Sequence, residues 1–155
     1  MKKPKNEVIL EDEAKRQLEM SLGYVKVLEA ISGVSVARSS DEDGKTWVFT
    51  PTAKNSLKVT LDYSSNFRGQ ALTSLVIEGV ECGYWHTGEE KNLDFHILLA
   101  QAALQGDVAY NRSRLFRFKE VCFRVGDSWV CTLTDKSKSS YHYITHRKKL
   151  RGLVH

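Results

Sequence analysis

Apolar residues recur at three- and four-residue intervals from about Leu10 to Ser32, at Ala14, Leu18, Leu22, Val25 and Leu28. Glu13, Lys15, Arg16 and Glu19 stand off that stripe, which predicts an amphipathic helix with one face on a core. Gly33 suits its C-terminal cap, and residues 1–9 read as a basic leader ahead of it. Ala14, Leu18, Val25 and Leu28 also fit a heptad, so a homodimer through this helix is the alternative to packing on a sheet. Ser21 interrupts the seam and the run is short, which favours the sheet.

After Gly33 the period changes to two. Val34 to Arg38 alternates, Ser39-Ser-Asp-Glu-Asp-Gly44 makes an acidic turn, and Thr46-Trp-Val-Phe-Thr50 follows until Pro51 ends the ladder. Leu57, Val59 and Leu61 alternate with Lys58, Thr60 and Asp62, and a fourth strand is expected from Leu72 through Val80. Residues 82–106 hold a second helix. Thr87-Gly-Glu-Glu90 matches a capping box, and Leu93, Ile97, Ala100 and Leu104 form a stripe widened by Phe95, Leu98, Leu99 and Ala102 as far as Gly106. A helix this apolar must be covered.

The last pattern is a hairpin. Val121 to Val125 and Ser128 to Leu133 are rich in β-branched and aromatic residues, and Gly126-Asp127 between them suits a type II′ or I′ turn. In that register Val125 faces Ser128, Arg124 faces Trp129, Phe123 faces Val130 and Cys122 faces Cys131. Cys122, Arg124, Trp129 and Cys131 then share one side, with the guanidinium against the indole, and Val121, Phe123, Val125 and Val130 share the core side. The fold expected is a single α+β domain over residues 10–135. An antiparallel meander carries the N-terminal helix and the second helix on one side, plus the C-terminal β-hairpin. A subdomain boundary is expected at 105–111, and residues 136–155 read as a flexible basic tail.

Composition narrows the classes. A chain of 155 residues with 41% hydrophobic content and two prolines is long enough to bury a core. Its polar N-terminal stretch and the lack of a long apolar run predict no membrane span and an intracellular protein of nucleus or cytoplasm. Three cysteines at no zinc-like spacing read as reduced thiols, and a Cys122–Cys131 disulfide across the hairpin is the lesser alternative.

Charge is unevenly divided. From Asn111 to His155 there are eleven Lys or Arg against three acids, about +8, which leaves about −4 in the first 110 residues. Arg112, Arg114, Arg117, Lys119 and Arg124 supply cations along the hairpin, Trp129 and Tyr141 are candidate stacking aromatics, and Arg147, Lys148, Lys149 and Arg151 form a basic arm. These residues predict a surface for nucleic acid or an acidic protein. The competing reading puts the aromatics in the core and the charges on a solvated edge guarded against aggregation. No zinc-finger spacing, RNA-recognition consensus or Gly-x-x-Gly loop accompanies them.

Catalytic, metal and cofactor patterns are missing. Asp94 and His96 lie about 200° apart on a helix, and Glu90 with Asp94, one turn apart, reads as a solvated face. His142 and His146 share a face without a placed third ligand. No catalytic residue, metal ligand or cofactor is therefore expected, although a small enzyme with a dispersed site is the third functional reading. Ser40, followed directly by three acids, fits a phosphorylation site as well as ordinary turn chemistry.

The order of elements resembles a known family. Leu28-Glu-Ala-Ile-Ser-Gly-Val-Ser-Val36, an acidic turn, Trp47-Val-Phe49, Leu57-Lys-Val-Thr-Leu61 and an apolar strand before a second helix look like the RWD-type domains of kinetochore and chromosome-segregation proteins. The resemblance covers residues 10–104 at most. It implies an adaptor whose leading helix dimerises or whose sheet docks peptides. The expectation overall is a non-enzymatic binding module with a basic C-terminal surface, and the adaptor is its rival.

Overall fold

The N-terminal apolar period folds as helix α1 (Lys5–Glu29), which starts five residues before the periodic stretch. The structure, a computed structural model, describes residues 5–65, 70–86, 89–112, 118–135 and 146–148.

Five strands follow α1 in sequence order: β1 (Val34–Ser40), β2 (Gly44–Pro51), β3 (Val59–Ser65), β4 (Ala71–Ile77) and β5 (Val80–His86). They form one antiparallel sheet in the order β1-β2-β3-β4-β5. The expected fourth strand is in fact two, because Glu78-Gly79 turns the chain between the paired Ile77 and Val80, with Gly79 at φ 75°. Strand β5 is hard to see in sequence for a physical reason. Leu75 pairs with Gly83 and Val76 with Glu81, so Cys82 is an extra residue that breaks the period of two.

One face of this sheet is apolar and the other open. Trp47, Leu61 and Leu75 share a row, as do Phe49, Val59, Ile77 and Val80, and all are buried. Thr46, Asp62 and Tyr84 lie on the other face, where Tyr84 is 62% exposed. The helices pack on the apolar side, as the alternation of β3 predicts.

Helix α1 meets the sheet on a face rotated from the expected stripe. Ala14, Gln17, Ser21, Val25 and Leu28 are buried, Leu18 is half-buried, and Leu22 is 39% exposed. Two polar residues thus replace two leucines on the buried line because the sheet offers them a partner. Gln17 Nε2 donates to Thr73 Oγ1 at 2.8 Å, Ser21 Oγ donates to the Gln17 carbonyl at 2.9 Å, and the Ser21 and Thr73 hydroxyls lie 3.0 Å apart. With Thr73 donating to Ser21, the three residues close a ring of hydrogen bonds under the helix. Tyr63 adds a fourth bond by donating to the Ala14 carbonyl at 3.0 Å.

Helix α2 (Glu90–Gln105) begins at the end of the expected capping box. Thr87 lies outside the described residues, and the cap position belongs to Glu89, which makes no side-chain cap bond. The Glu89 carboxylate reaches back instead and accepts from the His86 backbone N–H at 2.9 Å. At the other end Gly106 sits at φ 80° and its N–H meets the Ala102 and Ala103 carbonyls. A Cβ there would lie 2.3 Å from the Lys54 carbonyl oxygen, so both the turn and the close approach require glycine.

The region expected as a connection is a strand. β6 (Val108–Arg112), β7 (Phe118–Val125), β8 (Ser128–Asp135) and the short β9 (His146–Lys148) form a second antiparallel sheet in that order. Strand β9 lies within the segment expected as a tail. The hairpin register is the expected one at all four pairs, from Val125↔Ser128 to Cys122↔Cys131. Gly126 has φ 61° while Asp127 does not enter positive φ, which selects the type II′ turn.

Helix α2 touches both sheets: strands β2 to β5 of the first and β7 of the second. Leu93, Ile97, Leu99, Ala100, Ala102, Ala103 and Leu104 are buried in one cluster with Phe49, Leu61 and Leu75 from one sheet and Val121, Phe123 and Val130 from the other. The hairpin is therefore a second layer on a shared core.

Replacing Thr73 by Val leaves the Gln17 amide and Ser21 hydroxyl without that partner, and should lower unfolding stability by about 1–3 kcal/mol in urea titrations. The triple variant Gln17→Leu, Ser21→Ala, Thr73→Val removes all three polar groups together, including the Gln17 Oε1 that is buried with no hydrogen-bond partner. It should recover that loss.

Candidate functional site

The cations expected to bind a polyanion lie on the second sheet as far as that sheet is described. Arg112 is directly opposite Lys119 in the β6–β7 register. Arg124 is opposite Trp129, which is in turn opposite Lys148, and Arg147 pairs with Val130. The Arg124 side chain is exposed. Arg114, Arg117, Tyr141, Lys149 and Arg151 lie outside the described residues.

Trp129 does not do what its sequence position suggests. It is 1% exposed and forms a separate buried cluster with Ala109, Cys122 and Cys131 on the sheet side away from α2. An indole with no accessible face offers no platform for a base, so Trp129 is a core residue and the stacking role is corrected. The shared side of Cys122, Trp129 and Cys131 is as expected, but that side is a second core where an open surface was expected. Val121, Phe123 and Val130 do line the main core.

A second feature was missed in the sequence. Leu22 of α1 and Arg38, Ser39, Ser40, Lys45 and Trp47 of the β1–β2 hairpin line an open cleft of about 290 Å³. Register builds it: Arg38 is opposite Trp47 and Ser40 opposite Lys45, so these four share the helix-facing side of the sheet. Val34 and Val36 at the start of the same strand pack on the core, and beyond them the rows turn polar. Counting pairs outward from the Glu42-Asp43 turn would have found this arrangement.

Electrostatics keep the cleft mixed in sign. Arg38 is held in an ion pair with Glu29, at the last turn of α1. Asp41 caps the adjoining turn, its carboxylate accepting from the Asp43 and Gly44 N–H groups at 2.9 and 2.8 Å. With Asp41, Glu42 and Asp43 beside Arg38 and Lys45, a highly charged anion gains little here.

The carboxylate and histidine candidates on α2 diverge. Asp94 accepts a hydrogen bond from the Tyr24 hydroxyl and ties α2 to α1. His96 lies against the Trp85 ring with centroids 4.8 Å apart and donates from Nδ1 to the Asn92 carbonyl at 2.6 Å. Burial pushes its pKa below the ordinary histidine value, only partly offset by the bond to Asn92. Among the described residues no group of three His, Cys, Asp or Glu is arranged to hold a metal ion, and no helix is long and apolar enough to cross a membrane.

No protein-family model matches this chain, and no curated protein or solved structure shows significant similarity to it. The geometry is therefore the whole basis for function.

Because His96 is harder to protonate when folded, the unfolded chain takes up a proton first as pH falls below about 6.5, and stability drops from there down to the folded pKa. Unfolding free energy measured from pH 8 to 5 should decline over that window. The His96→Asn variant should show a flatter curve.

Proposed function

We propose that the protein is a non-enzymatic binding module whose second sheet engages nucleic acid through its cations. The observation that carries this reading is the register of β6 to β9. It sets Arg112 directly across from Lys119 and places both on the same side of the sheet as Arg147, with Arg124 and Lys148 on the other side. Like charges at opposed register positions disfavour a sheet pair in general. A phosphate between them offsets that repulsion, and each phosphate contact adds affinity by releasing a condensed counterion. Lys and Arg also protect sheet edges, but β7 is an inner strand of its sheet, so that explanation does not account for Lys119 or Arg124.

The rival reading is an adaptor of the kind the RWD-type resemblance implies. What favours it is strand β1, which has a partner strand on one side only among the described residues and is exposed over most of its length. A partner's strand can add there. The heptad positions Ala14, Val25 and Leu28 are buried within the chain, and among the described side chains of α1 Leu22 and Val27 are the exposed large apolar residues that a second copy could meet.

Binding of labelled single- and double-stranded DNA and RNA, followed by anisotropy at roughly 50 and 200 mM salt, tests the main reading. Three phosphate contacts, from Arg112, Lys119 and Arg147, predict a slope of log K against log salt of about −2 to −3. Lys119→Glu converts the opposed like charges into an opposite pair, so it should keep or raise stability while weakening binding and reducing the slope by about 1 to 2. Arg124→Glu, on the other side of the sheet, should weaken binding less. Unchanged affinity in both variants, or no binding at the lower salt, overturns the proposal in favour of a protein partner.

A further inference from the structure

Cys122 and Cys131 are the nucleophilic groups that the binding reading leaves without a role. They are directly opposite in the β7–β8 ladder and both fully buried. Their position in the ladder follows from the turn. Val125 and Ser128 flank the two-residue Gly126-Asp127 link and form the closing hydrogen-bonded pair. Pairs alternate from there, so Arg124↔Trp129 is non-hydrogen-bonded, Phe123↔Val130 hydrogen-bonded and Cys122↔Cys131 non-hydrogen-bonded. Opposed Cα atoms in a non-hydrogen-bonded pair are about 4.5 Å apart, inside the span of about 4.4–6.8 Å that a disulfide bridges.

We infer that Cys122 and Cys131 form an oxidation site, a cross-strand dithiol that a hydroperoxide closes to an intramolecular disulfide within the folded sheet. The two cysteines need no rearrangement of register to meet. One sulfur, as thiolate, attacks a peroxide oxygen, breaking the O–O bond and forming a sulfenic acid with release of one water. The second sulfur attacks the first, the S–S bond forms and the sulfenyl oxygen leaves as a second water. Two thiols lose two protons and two electrons, and hydrogen peroxide accepts both. Full burial slows entry of the oxidant, so the step proceeds through local opening of the sheet, and closure then holds β7 and β8 together. Cys82 lies in the other sheet, on β5, and has no cysteine opposite it.

The inference is tested on the full chain with hydrogen peroxide under native conditions, followed by alkylation and tryptic mapping. Cleavage after Lys119 and Arg124 puts Cys122 in peptide 120–124 and Cys131 in peptide 125–136, so a disulfide between them appears as a linked pair lighter by two hydrogen atoms. The expected result is that linked pair in the wild-type protein and in Cys82→Ser, with the two thiols of Cys82→Ser falling to none. Cys122→Ser and Cys131→Ser should each retain the remaining hairpin thiol. Wild-type mapping stands even where a serine variant fails to fold. Thiols that stay fully titratable after peroxide treatment, oxygen added to either cysteine without the link, or disulfides only between chains would each overturn the inference.

Discussion

The structure depends on the burial of α2 on two sides. Its apolar residues run far round the helix, and Leu93, Leu99 and Leu104 are fully buried in a core to which both sheets contribute. Each such side chain contributes about 1.5–3 kcal/mol when removed from water, so leaving one side of α2 in solvent would forfeit much of a domain's net stability. The C-terminal hairpin is therefore a structural necessity. The backbone bond from Arg124 N–H to the Asp107 carbonyl, 3.0 Å long, fastens β7 to the end of that helix.

A polar contact decides how α1 lies. The ring of Gln17, Ser21 and Thr73 can form at one rotation of the helix, and that rotation buries Ala14, Val25 and Leu28 while leaving Leu22 at the flank. Hydrogen bonds of this kind add little net free energy but penalise every misaligned packing, because an unmatched buried amide is costly. The cleft between Leu22 and the β1–β2 hairpin follows from that same rotation.

The second sheet contributes buried residues on both of its sides, Val121, Phe123 and Val130 to the main core and Ala109, Cys122, Trp129 and Cys131 to the other cluster. Charged residues in such a sheet collect toward strand ends. That explains why Arg112 and Lys119 meet at the far end of the β6–β7 pair, where Arg124 marks the opposite end near the turn.

Much of the fold was legible because local periods are physical. The α1 stripe, the alternation of β3, the apolar α2 and the Gly126-Asp127 hairpin with its four-pair register each follow from side-chain spacing and turn chemistry within about 25 residues. β5 and β6 were not legible: Gly83 and the bulge at Cys82 break the alternation of one, and the other has five residues between a helix cap and a charged run. The candidate site was legible as charge and illegible as geometry. Sequence by itself determined which residues are cationic, which helix must be covered and which cysteines oppose each other, since these depend on composition and nearest neighbours. Only the tertiary structure decided that Trp129 is core, that Gln17 and Ser21 replace leucines under α1, and that Arg38 meets Lys45 beside a helix flank. Those outcomes turn on what lies across from a residue in three dimensions, and contacts between distant segments leave no period in the chain.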